Sequence, residues 1–458
     1  MPQINFLYEF MTPNGYLPLG YQQKDLPIIF SETNDRLDIK PNVSTRMVRD
    51  DNVFVSNSTE DMFNVLSEPI NDCSHRVLMQ DISVEQLRDD YNILVITTVH
   101  EQGITKYIKS IDLDDLFSKK TLSIFKQYDS VRLVFIDEKE GAYIYEDEFF
   151  KKFQSFANKH NLKENKIVFI TNTSNIKQIY QDFLNRNNVS SFMTCDTINF
   201  CIDDNPGQNI LRYEGTTNNY EINSIVERGT EYSIDPRPTI GGTRKKHFLC
   251  LNRNSSRFHR PKLVLDLIGS DVFDKGLVSL FKTPEFDKFC EQEQNVLYKL
   301  LIKEKYPFVI DYDDPDYVAD MHNYFTKRDM WNDTYFSLVT ETDVKSGPVF
   351  ITEKTIRPMI YFHPFIVYGN PNTLAELHKM GFETFPEIFD ESYDTIEDEN
   401  ERLSSIMRSV TKLCSLPLED LHKLYFSVYP KLVHNRNLLV EFTKTQRLRN
   451  KFLHLISL

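Results

Sequence analysis

Several absences narrow the field before any motif is read. The six cysteines, Cys73, Cys195, Cys201, Cys250, Cys290 and Cys414, form no C-x-x-C pair and join no Cys/His run at zinc-ligand spacing. A disulfide framework and a structural zinc are thereby set aside, and reduced core thiols are expected. Basic residues are outnumbered, with 53 Lys and Arg against 67 Asp and Glu, a net charge of −14 that argues against coating nucleic acid by bulk attraction. No stretch approaches the roughly 18 apolar residues that span a bilayer. The opening MPQINFLYEFMTPNG lacks the basic start and unbroken apolar core of a secretory signal, so a soluble, cytoplasmic protein with no membrane span is expected. No G-x-G-x-x-G and no G-x-x-x-x-G-K-[ST] occurs, which removes support for a dehydrogenase or a P-loop nucleotidase. H-E-x-x-H and G-x-S-x-G are missing too. D-x-D occurs at Asp112–Leu113–Asp114 and Asp311–Tyr312–Asp313, but with 67 acidic residues such triplets arise by chance, and no catalytic metal is expected.

What is present suits two α/β domains. A chain of 458 residues exceeds one ordinary core, and 40% hydrophobic and 13% aromatic residues are enough to fill two. From Tyr91 onward strands and helices alternate. Asn92–Thr98, Val131–Asp137 and Lys166–Asn172 are near-continuous apolar strands, with a fourth near Ser191–Thr194. Between them helical spacing predicts helices over Leu113–Tyr128, Glu146–His160 and Ile176–Asn185. Such alternation predicts a parallel sheet covered on both faces, with ligands beyond the C-terminal strand ends. Attention therefore falls on Thr97 to Glu101, Asp137 to Gly141, and Thr171 to Thr173.

Residues 1–85 read as an N-terminal extension packing on this first domain, 86–240 as the domain itself, and 241–458 as a second domain. The boundary is placed in DPRPTIGGTRKK, where proline, paired glycine and polar residues mark a linker. Arg244, Lys245 and Lys246 open the second domain, as a solvated cluster or as the border of an anionic ligand. Strand His247–Leu251 follows, then an Asn-Arg-Asn-Ser-Ser loop and a helix starting near Arg260. Further on come a helical region over Pro284–Lys305, strand Pro307–Asp311, strand Pro364–Gly369, a helix over Asn372–Met380, and helices to the end.

The stretch Tyr335 to Pro358, YFSLVTETDVKSGPVFITEKTIRP, organises that second domain. β-Branched and aromatic residues from Tyr335 to Val339 predict a strand. A polar loop leads to a helix that Thr352 caps, with Glu353 in its first turn. A helix start presents backbone N–H groups to an anion. Lys354 adds a full positive charge beside them, and Glu353 can accept two hydrogen bonds from a vicinal diol such as a ribose. In isolation the same tripeptide reads as a capped helix with a solvated Glu–Lys pair.

FSLVTET followed by FITEK resembles the α-1,3-fucosyltransferase-like family of two-Rossmann (GT-B) glycosyltransferases, and HFLCLNRNSSRFHRPKLVLDL is similar to a second segment of that family. The likeness covers the C-terminal half. It implies an enzyme transferring a hexose or pentose from a nucleotide-diphosphate sugar, inverting and metal-independent, with no cofactor beyond the donor. It maps the ribose-binding glutamate onto Glu353 and the phosphate-binding lysine onto Lys354. The diphosphate arginine maps onto Arg260, with Arg257 and Arg253 as competitors. Asn252, Glu341, Thr352 and Asn370 complete the donor set, and Gly369 lies beside Asn370. Thr342 stands where the family's F-E-N turn has asparagine, so the fucose donor is not implied. The general base comes from the first domain in such enzymes. Glu140 is favoured because Gly141 allows a tight backbone approach; Asp137, Glu138, His100 and Glu101 are the alternatives. The acceptor is expected to be a glycan, with a hydroxylated base in DNA as the alternative and an inactive interaction module as a third reading.

Overall fold

The computed structural model describes residues 4–12, 15–18, 46–49, 53–56, 74–78, 91–98, 113–116, 119–137, 145–199, 242–252, 254–281, 283, 307, 308, 310, 328–444, 451, 454 and 455. The chain divides into two compact units, residues 1–200 with 448–458 and residues 201–447.

In the first unit, β1 (Ile4–Thr12) runs parallel to β5 (Ser74–Leu78) and to β6 (Tyr91–Thr98). From β6 the sheet continues in parallel through β7 (Val131–Asp137), β8 (Ile167–Thr171) and β9 (Thr194–Thr197). Antiparallel pieces decorate it: β2 (Gly15–Pro18) on β1, β3 (Arg46–Arg49) on β4 (Val53–Ser56), and β4 on β6. The stretch expected as an N-terminal extension thus contributes strands to this sheet. Residues 236–241 of the expected linker lie outside the described residues.

Continuous apolar strands need cover, and the helices supply it. In α2 (Asp147–His160), Phe149, Phe153 and Phe156 fall at helical spacing with Phe150 beside them, and all four are buried. Phe153 meets Phe135 of β7 edge-on at 4.8 Å, and Phe149 lies 5.1 Å from Phe169 of β8. Burying four phenylalanines contributes on the order of 10 kcal/mol gross. That packing, more than helix propensity, fixes α2. Of the helix expected over Leu113–Tyr128, the described residues form a 3-10 turn at Leu113–Leu116 and α1 (Lys119–Gln127), and Asp114 pairs with Lys159 and His160 at the far end of α2. Helix α3 (Ile176–Asn187) follows β8. Strand β9 starts three residues later than expected. The N–H groups of Phe192 and Met193 donate to the Tyr180 hydroxyl at 2.9 and 3.2 Å instead of joining the ladder.

The second unit carries a wholly parallel sheet in the order β11 (Gly276–Val278), β10 (Lys246–Cys250), β12 (Thr334–Thr340), β13 (Phe365–Tyr368). The chain moves outward from β10 to β11 and then returns to β12 on the other side. The strand order therefore reverses between β10 and β12, which is the switch point where doubly wound sheets hold ligands. Helix α4 (His259–Gly269) follows β10, α5 (Arg328–Asp333) precedes β12, and α6 (Glu353–Ile360) and α7 (Thr373–Lys379) follow β12 and β13. Three helices close the unit: α8 (Glu399–Cys414), α9 (Leu418–Ser427) and α10 (Tyr429–Lys444). Two parallel-sheet units with trailing helices are the α/β class that the alternation predicted. Strand β11 was not foreseen. Of the expected strand Pro307–Asp311, Phe308 makes an antiparallel bridge to Leu280, and the helical region 284–305 lies outside the described residues. No helix among the described residues is long and apolar enough to cross a membrane.

Candidate functional site

At the C-terminal end of β12 the chain enters the loop that joins it to α6. Glu341 is fully buried there, and every polar atom it carries is engaged. Its N–H donates to the Tyr368 carbonyl at 2.9 Å, and its carbonyl accepts from the His259 ring Nε2 at 2.9 Å. One carboxylate oxygen accepts from the Thr352 N–H at 3.0 Å and the Thr355 hydroxyl at 2.6 Å. The other accepts from the Thr352 hydroxyl at 2.6 Å and the Thr342 N–H at 3.3 Å. Gly369 lies close by: a Cβ there would stand 3.2 Å from Thr373 Oγ1 and 3.4 Å from Glu341 Cβ and Cγ.

The loop itself is held at several points. Arg402 of α8, almost wholly buried, donates to the carbonyls of Ile396, Glu397 and Val344. The Asn370 amide donates to the Lys345 carbonyl at 2.8 Å and accepts from the Phe350 N–H at 3.0 Å. Gly347 takes φ 149°, which only glycine adopts readily. Asn370 thus spends its amide on the loop.

Thr352 caps α6, its hydroxyl accepting from the Lys354 N–H at 3.3 Å, while its carbonyl accepts from the Thr355 N–H at 3.2 Å. The backbone amides expected to face a phosphate are therefore partly taken, and the charge at this edge is that of Lys354. Its ammonium lies 2.9 Å from Glu353 Oε1, 3.1 Å from the Thr352 hydroxyl and 3.3 Å from the Thr342 hydroxyl. Glu353 is no solvated residue: its side chain is 9% exposed. Burial alone would raise its carboxyl, but the Lys354 and Arg357 charges override that and hold it down at about 2.

Across the switch point, Asn252 follows β10 and accepts a hydrogen bond from the Thr340 hydroxyl of β12, tying the two strand ends together. Arg260 sits in the first turn of α4, buried, with its guanidinium donating to the Asn254 carbonyl at 3.2 Å. Beside it, burial and then the charges of Arg260, Arg257 and Lys354 push the His259 imidazole down to about 3, despite its bond to the Glu341 carbonyl. The bond from His259 to the Glu341 carbonyl brings the first turn of α4 beside the loop that joins β12 to α6. His259 was missed in the sequence, although the run Arg257-Phe258-His259-Arg260 displays it. Arg253 lies outside the described residues.

Two other features prove structural. Arg244, considered above as a border of the ligand, is buried at the opposite, N-terminal end of the strands. There it donates to the Trp331 and Thr334 carbonyls and lies 4.2 Å over the Tyr425 ring. The start of α7 is likewise filled from within, because the Asp394 carboxylate accepts from the Leu374 and Ala375 N–H groups at 2.9 and 3.2 Å.

In the first unit the strand ends align: Thr98, Asp137, Thr171 and Thr197 stand opposite one another in successive pairs. Asp137 is fully buried and accepts from the Tyr145 hydroxyl at 2.6 Å, and that hydroxyl lies 2.7 Å from Thr171 Oγ1. Burial, followed by the Asp137 charge, raises the Tyr145 phenol well above its ordinary value. Glu140, Glu138, His100 and Glu101 lie outside the described residues. Of the two D-x-D triplets, Asp114 is engaged by Lys159 and His160, and Asp311 to Asp313 also lie outside. Among the described residues no cluster of three or more His, Cys, Asp or Glu side chains is arranged to hold a metal.

No protein-family model matches the sequence, and no curated protein does. Among solved structures, the chain is similar to an α,α-trehalose-phosphate synthase (UDP-forming) from Burkholderia vietnamiensis, at 9% identity and a TM-score of 0.35, over 71% of this chain and 69% of that one. A UDP-forming α,α-trehalose-phosphate synthase from Burkholderia xenovorans is similar at 10% identity and a TM-score of 0.39, over 100% and 99%. Likeness of that degree carries no argument about activity.

Proposed function

We propose that the chain is a glycosyltransferase of the GT-B class, taking a nucleotide-diphosphate sugar in the second unit. The observation that carries this reading is the placement of Arg260 at the start of α4 and Lys354 at the start of α6, on the two sides of the switch point of a parallel sheet and joined by the bond from His259 to the Glu341 carbonyl, in a protein of net charge −14. A polyanion is the ligand that such a crevice favours. The resemblance of FITEK and HFLCLNRNSSRFHR to the fucosyltransferase-like family supports the same assignment from the sequence.

In the proposed reaction an acceptor hydroxyl attacks the anomeric carbon of the donor. The bond from that carbon to the phosphate oxygen breaks, and the nucleoside diphosphate departs with the bonding electrons. Arg260 and Lys354 neutralise the charge that develops on the leaving group, so no metal is required. Glu353 exchanges its hold on Lys354 for the ribose hydroxyls. The acceptor proton passes to a carboxylate, which the sequence resemblance assigns to Glu140, with Asp137 as the alternative. A glycan is the acceptor class we favour.

The test is a thermal-shift panel with UDP, GDP, CMP, dTDP and ADP, with and without EDTA, on the wild type, Lys354→Ala and Arg260→Ala. A ligand of the folded state at about 100 times its Kd stabilises by roughly 2.7 kcal/mol. Stabilisation by one nucleotide, kept in EDTA and lost in both variants, is the expected result. Silence toward all five nucleotides would refute the reading in favour of an interaction module.

A further inference from the structure

Glu341 was expected among the donor-binding residues, yet it is fully buried and offers no polar atom to a ligand. Its carboxylate holds four donors, as many as two carboxylate oxygens accept. We propose that Glu341 is a positioning residue that acts on Lys354 through the Thr352 hydroxyl. That role rests on the reading of Lys354 as an anion ligand for its functional consequence only.

A hydroxyl has one proton to give. Thr352 gives it to Glu341 at 2.6 Å, so its lone pairs face the Lys354 N–H at 3.3 Å and the Lys354 ammonium at 3.1 Å. The order is thus carboxylate, hydroxyl, ammonium, each donor aimed at an acceptor. Thr342 strengthens the same end. Its N–H donates to Glu341, and its hydroxyl stands 3.3 Å from the ammonium. Glutamine at 341 breaks this order. One face of the amide still accepts from the Thr352 N–H and the Thr355 hydroxyl, but the other face now donates toward Thr342 N–H and Thr352 Oγ1. The Thr352 hydroxyl must then turn around to accept, which aims its proton at the Lys354 ammonium. A change of one atom in the core, with almost no change of shape, thereby releases a cation that it does not touch.

The experiment uses the full chain with 15Nζ-labelled lysine and inorganic pyrophosphate as the anion probe. The ligand-free wild type is expected to show a protected ammonium resonance for Lys354, identified by its loss in Lys354→Ala. Glu341→Gln is expected to shift or broaden that resonance beyond detection and to weaken pyrophosphate binding roughly tenfold, the scale of a lost charge-assisted hydrogen bond. Thr352→Val removes the relaying hydroxyl and leaves Glu341 in place. It is expected to move the same resonance, and it carries the test should Glu341→Gln fail to fold. A Lys354 resonance unchanged in every variant that folds overturns the proposal. Failure of the wild type to bind pyrophosphate strikes the functional reading instead, and the resonance still judges Glu341.

Discussion

Glu353→Gln gives the most direct measure of the electrostatics at this site. The substitution keeps the shape of a side chain that is 9% exposed and removes its charge beside Lys354 and Arg357. With the folded carboxyl at about 2 and an ordinary value of 4.5, the difference is 2.5 pKa units. That corresponds to about 3 kcal/mol of stability at neutral pH. Because the folded value is the lower one, this stability is fully present above pH ~4.5 and is lost as pH falls toward ~2. At pH ~3.5 about 2 kcal/mol of it remains by the same linkage. The chain provides its own reporter, since its single tryptophan, Trp331, is buried in the second unit and stacked 4.5 Å from Tyr361 just past α6. Urea unfolding followed by Trp331 fluorescence, for the wild type and Glu353→Gln at neutral and acid pH, isolates the term, because all other titrations cancel in the difference. A wild-type advantage that is absent at pH 7, or that does not shrink on acidification, would refute the argument.

Two further outcomes follow from the same geometry. Arg402→Met leaves the carbonyls of Ile396, Glu397 and Val344 without their shared donor and is expected to cost about 3 kcal/mol in the Trp331 transition; a loss under 1 kcal/mol would show that the loop does not depend on this pin. His259 is held neutral with a folded value of about 3 against an ordinary 6.5, so its ring resonances in NMR are expected not to titrate between pH 5 and 8. The unfolded chain takes up that proton first, so this group lowers stability as pH falls below ~6.5; a titration midpoint near 6.5 in the folded protein would contradict the burial of this ring.

The sequence displayed those parts of the fold that are written in consecutive residues. Thr352 was placed as the cap of α6, and its hydroxyl accepts the Lys354 N–H. Strand Val131–Asp137 was placed at its observed bounds because seven residues of β-favouring composition lie between polar turns. What was illegible depends on partners far along the chain. Arg402 serves Val344, 58 residues away, and His259 serves Glu341, 82 residues away. No local pattern marks either bond. Strand β11 is three residues long and opens on a glycine, too short for a period-two signal. Strand β9 was placed early because Phe192 and Met193 look like strand residues, and only the Tyr180 hydroxyl shows why their N–H groups are spent elsewhere.

The way the helix starts are filled decides where an anion is best held. At α7 the Asp394 carboxylate occupies the N-terminus, so the positive end of that dipole is already neutralised. At α6 the cap is a neutral threonine; Glu353 in the first turn pairs with Lys354, and Glu341 spends its charge on Thr342, Thr352 and Thr355 below. The Lys354 ammonium is left on the outer side with hydroxyls and one exchangeable carboxylate as partners. Of these two helix starts on neighbouring strands, α6 has a cation beside its cap and α7 a carboxylate. On the proposed function, the diphosphate is expected on the β12 side, between Lys354 and Arg260 of α4, with the β13 side as its scaffold.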